Sequence, residues 1–386
     1  MSWRVRSLLV KPYGSIVDAL VEKLKTPPMR MYLRVNTVKT TPHRLVELLR
    51  ERGIEAYMDE YIEEAVYTVV KGPFSLECDT DKYIVVDDKT AGSLILGANL
   101  YRPGVVKSSV FSEGDKLLAV TRQGTPLACL EAVTSSRSLH KMKQGLVARN
   151  TSSPFKAPRI SELDIYKQGL LYPQGYPSIV TTRVLDPRPG ELIVDMNASP
   201  GGKTSHIVQL TKGGARIIAI DRSPGKIAEL KNTLSHLGLD LNVIAIPHDS
   251  RYLHYDFSLL GKADKVLVDP PCSNLGVRPR LLEKRSYKDV ENLSSYQRQF
   301  LKTAALIVKP GGYIVYSTCT LTLEENEENI LYAVEELGLE CVELPDNPPY
   351  TDKTTYKGVT GYRYTPLNMD MPGHFIAVLR RPSSSS

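Results

Sequence analysis

ELIVDMNASPGGKT (191–204) decides the fold of the larger part of this chain. A short apolar run ends in Asp195, and Asn197-Ala198-Ser199-Pro200-Gly201-Gly202 then leads into Lys203-Thr204. Glycines directly after a strand let the backbone approach a ligand, and the helix that follows presents free N–H groups. Moving outward, apolar runs recur at ARIIAID (215–221), LNVIAIPHD (241–249), KVLVDPP (265–271) and GGYIVYST (311–318). Between them lie helical stretches such as KIAELKNTLSHLG (226–238) and YQRQFLKTAALIVK (296–309). Apolar strands without strict alternation, separated by helices, predict a parallel sheet covered on both faces. Such a sheet binds ligands at the carboxyl ends of its strands.

The chemistry is therefore sought at those ends. Gly202-Lys203-Thr204 copies the close of a phosphate-binding loop, but that motif needs glycine where Asn197 stands, and G-x-G-x-x-G is absent too. Asp221 ends the second strand, where an acid accepts hydrogen bonds from ribose hydroxyls. It also precedes Ser223-Pro224, which reads as a helix cap with a first-turn proline. Asp249 ends the third strand, positioned for an adenine amine, although alone it reads as a turn residue. A glycine loop, a ribose acid and a further acid, without a pyrophosphate fingerprint, suggest a nucleoside cofactor such as S-adenosylmethionine.

Two cysteines carry the argument further. Asp269-Pro270-Pro271-Cys272 ends the fourth strand and Ser317-Thr318-Cys319-Thr320 the fifth. A lone cysteine is usually a small buried hydrophobe. Two at the same rim, one of them three residues after an acid, read as nucleophilic chemistry. Spacing alone does not choose between them.

The rest of the 386-residue chain reads as two further units. Residues 1–80 carry a strand-like MYLRVNT (31–37), a helical TPHRLVELLRERG (41–53) and a second strand-like AVYTVV (65–70). This β-α-β unit is compatible with a small RNA-binding fold or plain scaffold. Residues 81–157 hold short strands broken by Gly and Pro (YIVVDD, PGVVKSSV, DKLLAVT, PLACLEAV), which predict a small β-barrel or sandwich. The third unit, 158–386, holds the strand–helix alternation. The Ser383–Ser386 tail is expected to be disordered.

Composition narrows the classes. Charged residues make up 24% and hydrophobic residues 42%, which excludes a mainly disordered chain. No apolar run is long enough to span a membrane. MSWRVRSLLVKPYGS lacks the apolar core of a secretory signal. Five cysteines, odd in number and widely spaced, form neither a disulfide framework nor a CxxC knuckle, so a reducing cytoplasm is the expected setting. The net charge is only +6, but it is concentrated. Arg137, Lys141, Lys143, Arg149, Lys156 and Arg159 lie in a stretch without acids, and Arg278, Arg280, Lys284, Arg285 and Lys288 are relieved only by Glu283. Two such clusters point to a polyanion.

NASPGGKT, DRSPGK, KADKVLVDPPCS and YSTCTLTLEENEE together resemble the successive motifs of the Sun-domain (NOL/NOP/Sun) RNA cytosine-5 methyltransferases. The likeness extends to LRVNTVKTTPHRL, PSIVTTRVLDPRPGE and GHFIAVLRR, and so covers nearly the whole chain outside 81–157. That segment resembles a PUA domain through AGSLILGANLYRPGV and FSEGDKLLAV. A PUA module ahead of the catalytic domain is similar to the sixth branch of the family, whose members methylate the tRNA acceptor-stem cytidine adjoining the discriminator base. The resemblance implies a Rossmann-like methyltransferase sheet, an inserted PUA β-barrel and a small N-terminal α+β domain. It also implies S-adenosylmethionine, and tRNA held by its acceptor stem and CCA end through the PUA domain. No metal and no membrane are expected, and a monomer is. Cys319 is implied as the nucleophile and Cys272 as the group that assists release, with Asp269 and Lys203 at the base edge. Asn197, Ala198, Ser199, Pro200, Gly201, Gly202, Lys203, Asp221, Lys226, Asp249 and Asp269 match cofactor-contacting positions. Asn197 and Ser199 depart from the Cys and Ala common in the family, at positions that mainly shape the loop. A cytosine elsewhere in tRNA or rRNA is the alternative target. A nucleotide triphosphatase is disfavoured by Asn197. A non-catalytic RNA-binding protein would be expected to have lost Cys319, Cys272 or Asp269.

Overall fold

The structure is a computed structural model and describes residues 3–383. The serine tail expected to be disordered lies, apart from Ser383, outside these residues. Three β-sheets organise the chain.

The first sheet is antiparallel and four-stranded, with the order 171–173, 30–35, 65–69, 56–58. Helix Pro42–Glu51 covers one face because Leu45, Val46 and Leu49 lie on one side of it and meet Leu33, Val35 and Val66. Thr41 caps it, accepting from the Arg44 N–H, and Pro42 opens it. The edge strand Leu171–Pro173 comes from the segment that sequence reading assigns to the catalytic unit. Ahead of this sheet, helices Trp3–Tyr13 and Val17–Lys25 bury Leu9, Leu20 and Leu24 against Leu321, two residues beyond Cys319.

The second sheet has six strands in the order 100–101, 146–152, 126–132, 116–120, 83–86, 105–108. Its core includes Ile84, Leu94, Leu117, Leu130 and Val147. Cys78, in the segment leading to this unit, is disulfide-bonded to Cys129 in strand Pro126–Ala132, at a Cα separation of 5.4 Å. This corrects the expectation that the cysteines are all unpaired. Their 51-residue separation hides a proximity that only the packing of the leading segment on the sheet creates. Cys272, Cys319 and Cys341 are free.

The third sheet runs 243–247, 216–221, 192–195, 263–268, 308–318, 374–380, 359–364, 352–356, with 340–342 also pairing 374–380. The five strands read from the sequence are parallel, as expected, and the C-terminal strands that extend the sheet beyond them are antiparallel, which makes the whole sheet mixed. Antiparallel neighbours need only short connections, and the C-terminal strands have no long crossover helices between them. Both faces are apolar. Ile193, Leu267 and Val315 point into one core, and Val194, Val266 and Ile314 into the other. Among the described residues, no helix is long and apolar enough to cross a membrane.

Candidate active site

Helix Gly202–Leu210 starts where the first parallel strand ends. Gly201 sits at φ 108°, and a Cβ there would lie 3.0 Å from Leu230 Cδ1, so only glycine fits the turn. The loop is pinned across the strand ends: the Ala198 N–H donates to Ile220 O, and the Ser199 N–H donates to Asp221 Oδ2 at 3.1 Å. Ser199 Oγ also donates to Glu229. Below the loop, Asp195 accepts from Thr204 Oγ1 at 2.7 Å, and burial pushes its carboxyl up to about 6.

Asp221, Asp249 and Lys226 line one cavity of about 540 Å³ together with Asn197, Asp269 and both thiols. Asp221 also lies 3.6 Å from the Lys226 ammonium. Ser223 caps helix Pro224–Leu237, as its sequence suggests. Asp249 is gripped by Arg251 through Nε at 2.9 Å, and this hydrogen bond, more than anything else, holds its carboxyl below the usual range. Two carboxylates at adjacent strand ends offer acceptors to hydroxyls and to an amine, so the donor and acceptor set of the cavity fits a nucleoside.

At the fourth and fifth strand ends, Lys203 Nζ meets Asp269 Oδ2 at 2.6 Å, while Ser317 Oγ donates to Asp269 Oδ1 at 3.0 Å. Burial works against the Lys203 charge, but Asp269 outweighs it and holds the ammonium above its ordinary value. The Cys272 and Cys319 sulfurs are 3.3 Å apart, and both contact Asn274 Oδ1, at 3.2 and 2.9 Å. Cys272 is 9% exposed, whereas Cys319 is half-buried. The hydrogen bond with Cys319, and then burial, push the Cys272 thiol well above its usual range, which keeps it protonated.

Sequence reading missed what holds the two cysteine loops together. Glu325, fully buried, accepts from the Ser273 N–H at 2.8 Å, Gln297 Nε2 at 2.9 Å, Thr322 Oγ1 at 2.9 Å and the Ser273 hydroxyl. The only sequence signal was its place in LEENEE, which reads equally as an acidic helix start. Glu325→Ala leaves several buried donors unpartnered at about 1–3 kcal/mol each. A loss of about 3 kcal/mol or more in unfolding free energy is expected by denaturant titration. A change below about 1 kcal/mol would refute the network's importance.

The second basic cluster divides. Arg278 is buried and donates to Lys23 O and Thr26 O, and it pairs with Asp370. Arg280 pairs with Glu283 and donates to Asn274 O. These two shape the Cys272 loop and are not free for a polyanion, which corrects the expectation for them. Lys284 and Arg285 are also paired, with Asp88 and Glu283, but they line an open cavity of about 630 Å³ with Cys272 and Tyr296. All six residues of the first cluster are exposed. A cleft of about 750 Å³ runs from Asn274 to helix Asp88–Leu94 of the second unit.

A cavity whose polar groups fit a nucleoside opens onto two thiols at the rim of a mixed Rossmann-like sheet, an arrangement suited to an S-adenosylmethionine-dependent cytosine-C5 methyltransferase. Residues 182–380 match the 16S rRNA methyltransferase RsmB/F family, residues 2–74 the ferredoxin-like domain of RsmF/B-like methyltransferases, and residues 82–153 the PUA domain. The chain belongs to the RsmB/F family of RNA methyltransferases. It is 39% identical to a tRNA (cytosine(72)-C(5))-methyltransferase of Pyrococcus horikoshii, over 82% of this chain and 81% of that protein. It is 29% identical to the mouse tRNA (cytosine(72)-C(5))-methyltransferase NSUN6, over 86% of this chain and 76% of that one. The crystal structure of NSun6 from P. horikoshii with SFG superposes with a TM-score of 0.90 at 35% identity, covering 98% of each chain.

Proposed function

We propose that this enzyme methylates carbon 5 of cytidine 72 in the tRNA acceptor stem, beside the discriminator base, through a covalent adduct on Cys319. The supporting observation is the thiol pair itself, 3.3 Å apart and set beside the Lys203–Asp269 ion pair at the mouth of the nucleoside cavity. Cytosine carbon 5 is a poor nucleophile. Thiolate addition from the more exposed Cys319 to carbon 6 makes the ring enamine-like, so that carbon 5 can attack an electrophilic methyl. Lys203 and Asp269 contact the base edge, where hydrogen bonding on the N3 side draws electrons from the ring and prepares it for the thiolate. S-adenosylmethionine, when bound, supplies the sulfonium methyl. Water then takes the carbon-5 proton as the carbon-6–sulfur bond breaks, its electron pair leaving on the Cys319 sulfur as a thiolate to which the protonated Cys272 donates a hydrogen bond. Asn197 to Lys203, Asp221, Lys226, Asp249 and Asp269 hold the methyl donor.

Residues 158–386 form the catalytic unit in this reading, residues 1–80 an RNA-binding-like unit, and residues 81–157 the unit that grips the acceptor stem and the CCA end. The cleft from Asn274 to helix Asp88–Leu94 gives that end a path to Cys319, with Lys89, Lys284 and Arg285 in its lining, and the exposed Arg137–Arg159 cluster adds positive charge elsewhere on the surface. The protein works as a monomer in the cytoplasm, a setting that rests on its tRNA substrate, since the Cys78–Cys129 disulfide removes the cysteine argument for it. Labelled methyl transfer to tRNA with and without its terminal CCA, followed by bisulfite mapping, tests this. Truncation is expected to lower transfer by about tenfold or more, the loss of roughly 1.4 kcal/mol, with cofactor affinity unchanged. Equal methylation of both tRNAs would overturn acceptor-end recognition. Mapping to another cytosine, in tRNA or in rRNA offered alongside, would overturn the position.

A further inference from the structure

The two thiols share one hydrogen-bond acceptor. Asn274 Oδ1 lies 2.9 Å from the Cys319 sulfur and 3.2 Å from the Cys272 sulfur, which closes a triangle with the 3.3 Å contact between the sulfurs. Among the described residues, neither sulfur has a hydrogen-bond partner other than Asn274 and the second cysteine. Asn274 also lines both the nucleoside cavity and the cleft that runs to helix Asp88–Leu94, so it stands where the two meet.

The backbone of Asn274 is fixed, while its amide is not. Its carbonyl oxygen accepts from the Val277 N–H at 3.1 Å and from Arg280 Nη1, and Arg280 is held in turn by Glu283. Its φ of 55° is left-handed, a conformation that asparagine adopts more readily than most residues. The residue is exposed. Among the described residues, Oδ1 is engaged by the two thiols alone and Nδ2 meets no protein acceptor. The terminal torsion of asparagine is broad and two-fold, so the amide can turn over without leaving its place. An amide so placed accepts from a thiol through its oxygen and, once turned, donates to a thiolate through its nitrogen.

We propose that Asn274 is a further catalytic residue, orienting both thiols through Oδ1 in the resting enzyme and turning to donate Nδ2–H to the Cys319 thiolate at attack and at release. The proposal rests on Cys319 being the nucleophile. The half-buried Cys319 gives its proton to water, and the charge left on sulfur draws the amide N–H. Formation of the carbon-6–sulfur bond takes that charge into the ring. When the bond breaks, the electron pair returns to sulfur, and Asn274 Nδ2–H and the Cys272 thiol both donate to it. Charged groups around the thiols include Lys203 with Asp269, Glu325 among its donors, and Lys284 and Arg285 beside Cys272. Substitution at 274 alters none of them.

Single-turnover transfer of labelled methyl at saturating tRNA, followed across pH, tests this beside calorimetric titration of S-adenosylhomocysteine, which reports folding. Asn274→Gly keeps the left-handed turn and removes the amide. It is expected to slow transfer about tenfold at neutral pH and to move the acid limb of the profile about one unit toward higher pH, because a donor to the thiolate is lost. Asn274→Asp keeps the shape and the acceptor but cannot donate and sets a like charge against the thiolate, so its limb should move further the same way. Cofactor affinity should stay within about twofold in both variants. A limb that moves to lower pH in Asn274→Gly would mean that the amide only accepts, and would overturn the proposal. A uniform loss across pH with no displaced limb would overturn it too, as would transfer within about twofold of wild type. Turnover retained in Cys319→Ala, run in the same series, would instead overturn the nucleophile assignment beneath it.

Discussion

Cys319→Ala is expected to lower methyl transfer by about four orders of magnitude or more while leaving cofactor affinity within about twofold. The thiol acts on the base, and its sulfur touches Cys272 and Asn274 rather than the Asp221 and Asp249 carboxylates. The carbon-6 adduct is what makes carbon 5 nucleophilic, so without that sulfur the ring has no route to a comparable state. Single-turnover transfer of labelled methyl, measured beside a calorimetric titration of S-adenosylhomocysteine, separates the two effects. Turnover retained to within about tenfold of wild type would remove Cys319 from the covalent role.

Cys272→Ala is expected to do the opposite to the adduct, letting it form and then accumulate. Cys272 is the protonated neighbour of the attacking sulfur, 3.3 Å away and largely shielded from solvent. Alanine removes the one thiol placed to assist departure, while Glu325 still holds Ser273 through the backbone N–H and so keeps the loop in place. Most of the enzyme should run as a shifted protein–RNA band on a denaturing gel when both substrates are present. That band should vanish in the Cys272→Ala, Cys319→Ala double variant. No shifted band in the single variant would defeat the release role. A band that persists in the double variant would place the bond on another residue.

Much of this site was legible because strand ends and loops are local. Apolar runs that end in Asp195, Asp221, Asp249, Asp269 and Thr318 mark one rim of one sheet, and the motifs that follow each run name its loop. The glycine turn was equally readable, since Gly201 adopts a backbone conformation that side chains resist. The fate of the second basic cluster was not readable. Arg278 and Lys284 look alike in sequence, yet one is buried against the N-terminal helices and the other faces the cleft beside Cys272. Charge counts cannot see which side chains are consumed inside the fold.

The sequence by itself determined the alternation of strands and helices, the order of the loops at the rim, and the place of two cysteines and an acid at strand ends. These follow from hydrophobic period and turn chemistry, which are properties of neighbouring residues. Only the tertiary structure decided that strand 171–173 completes the N-terminal sheet, that Cys78 reaches Cys129, that Glu325 clamps both cysteine loops, and that Arg34 reaches Gln174. Each of these joins residues about 50 to 140 positions apart, as does the antiparallel pairing of strand 308–318 with strand 374–380. Such contacts form because burial of apolar surface fixes how whole units dock, and no local pattern records which distant partner will be brought within reach.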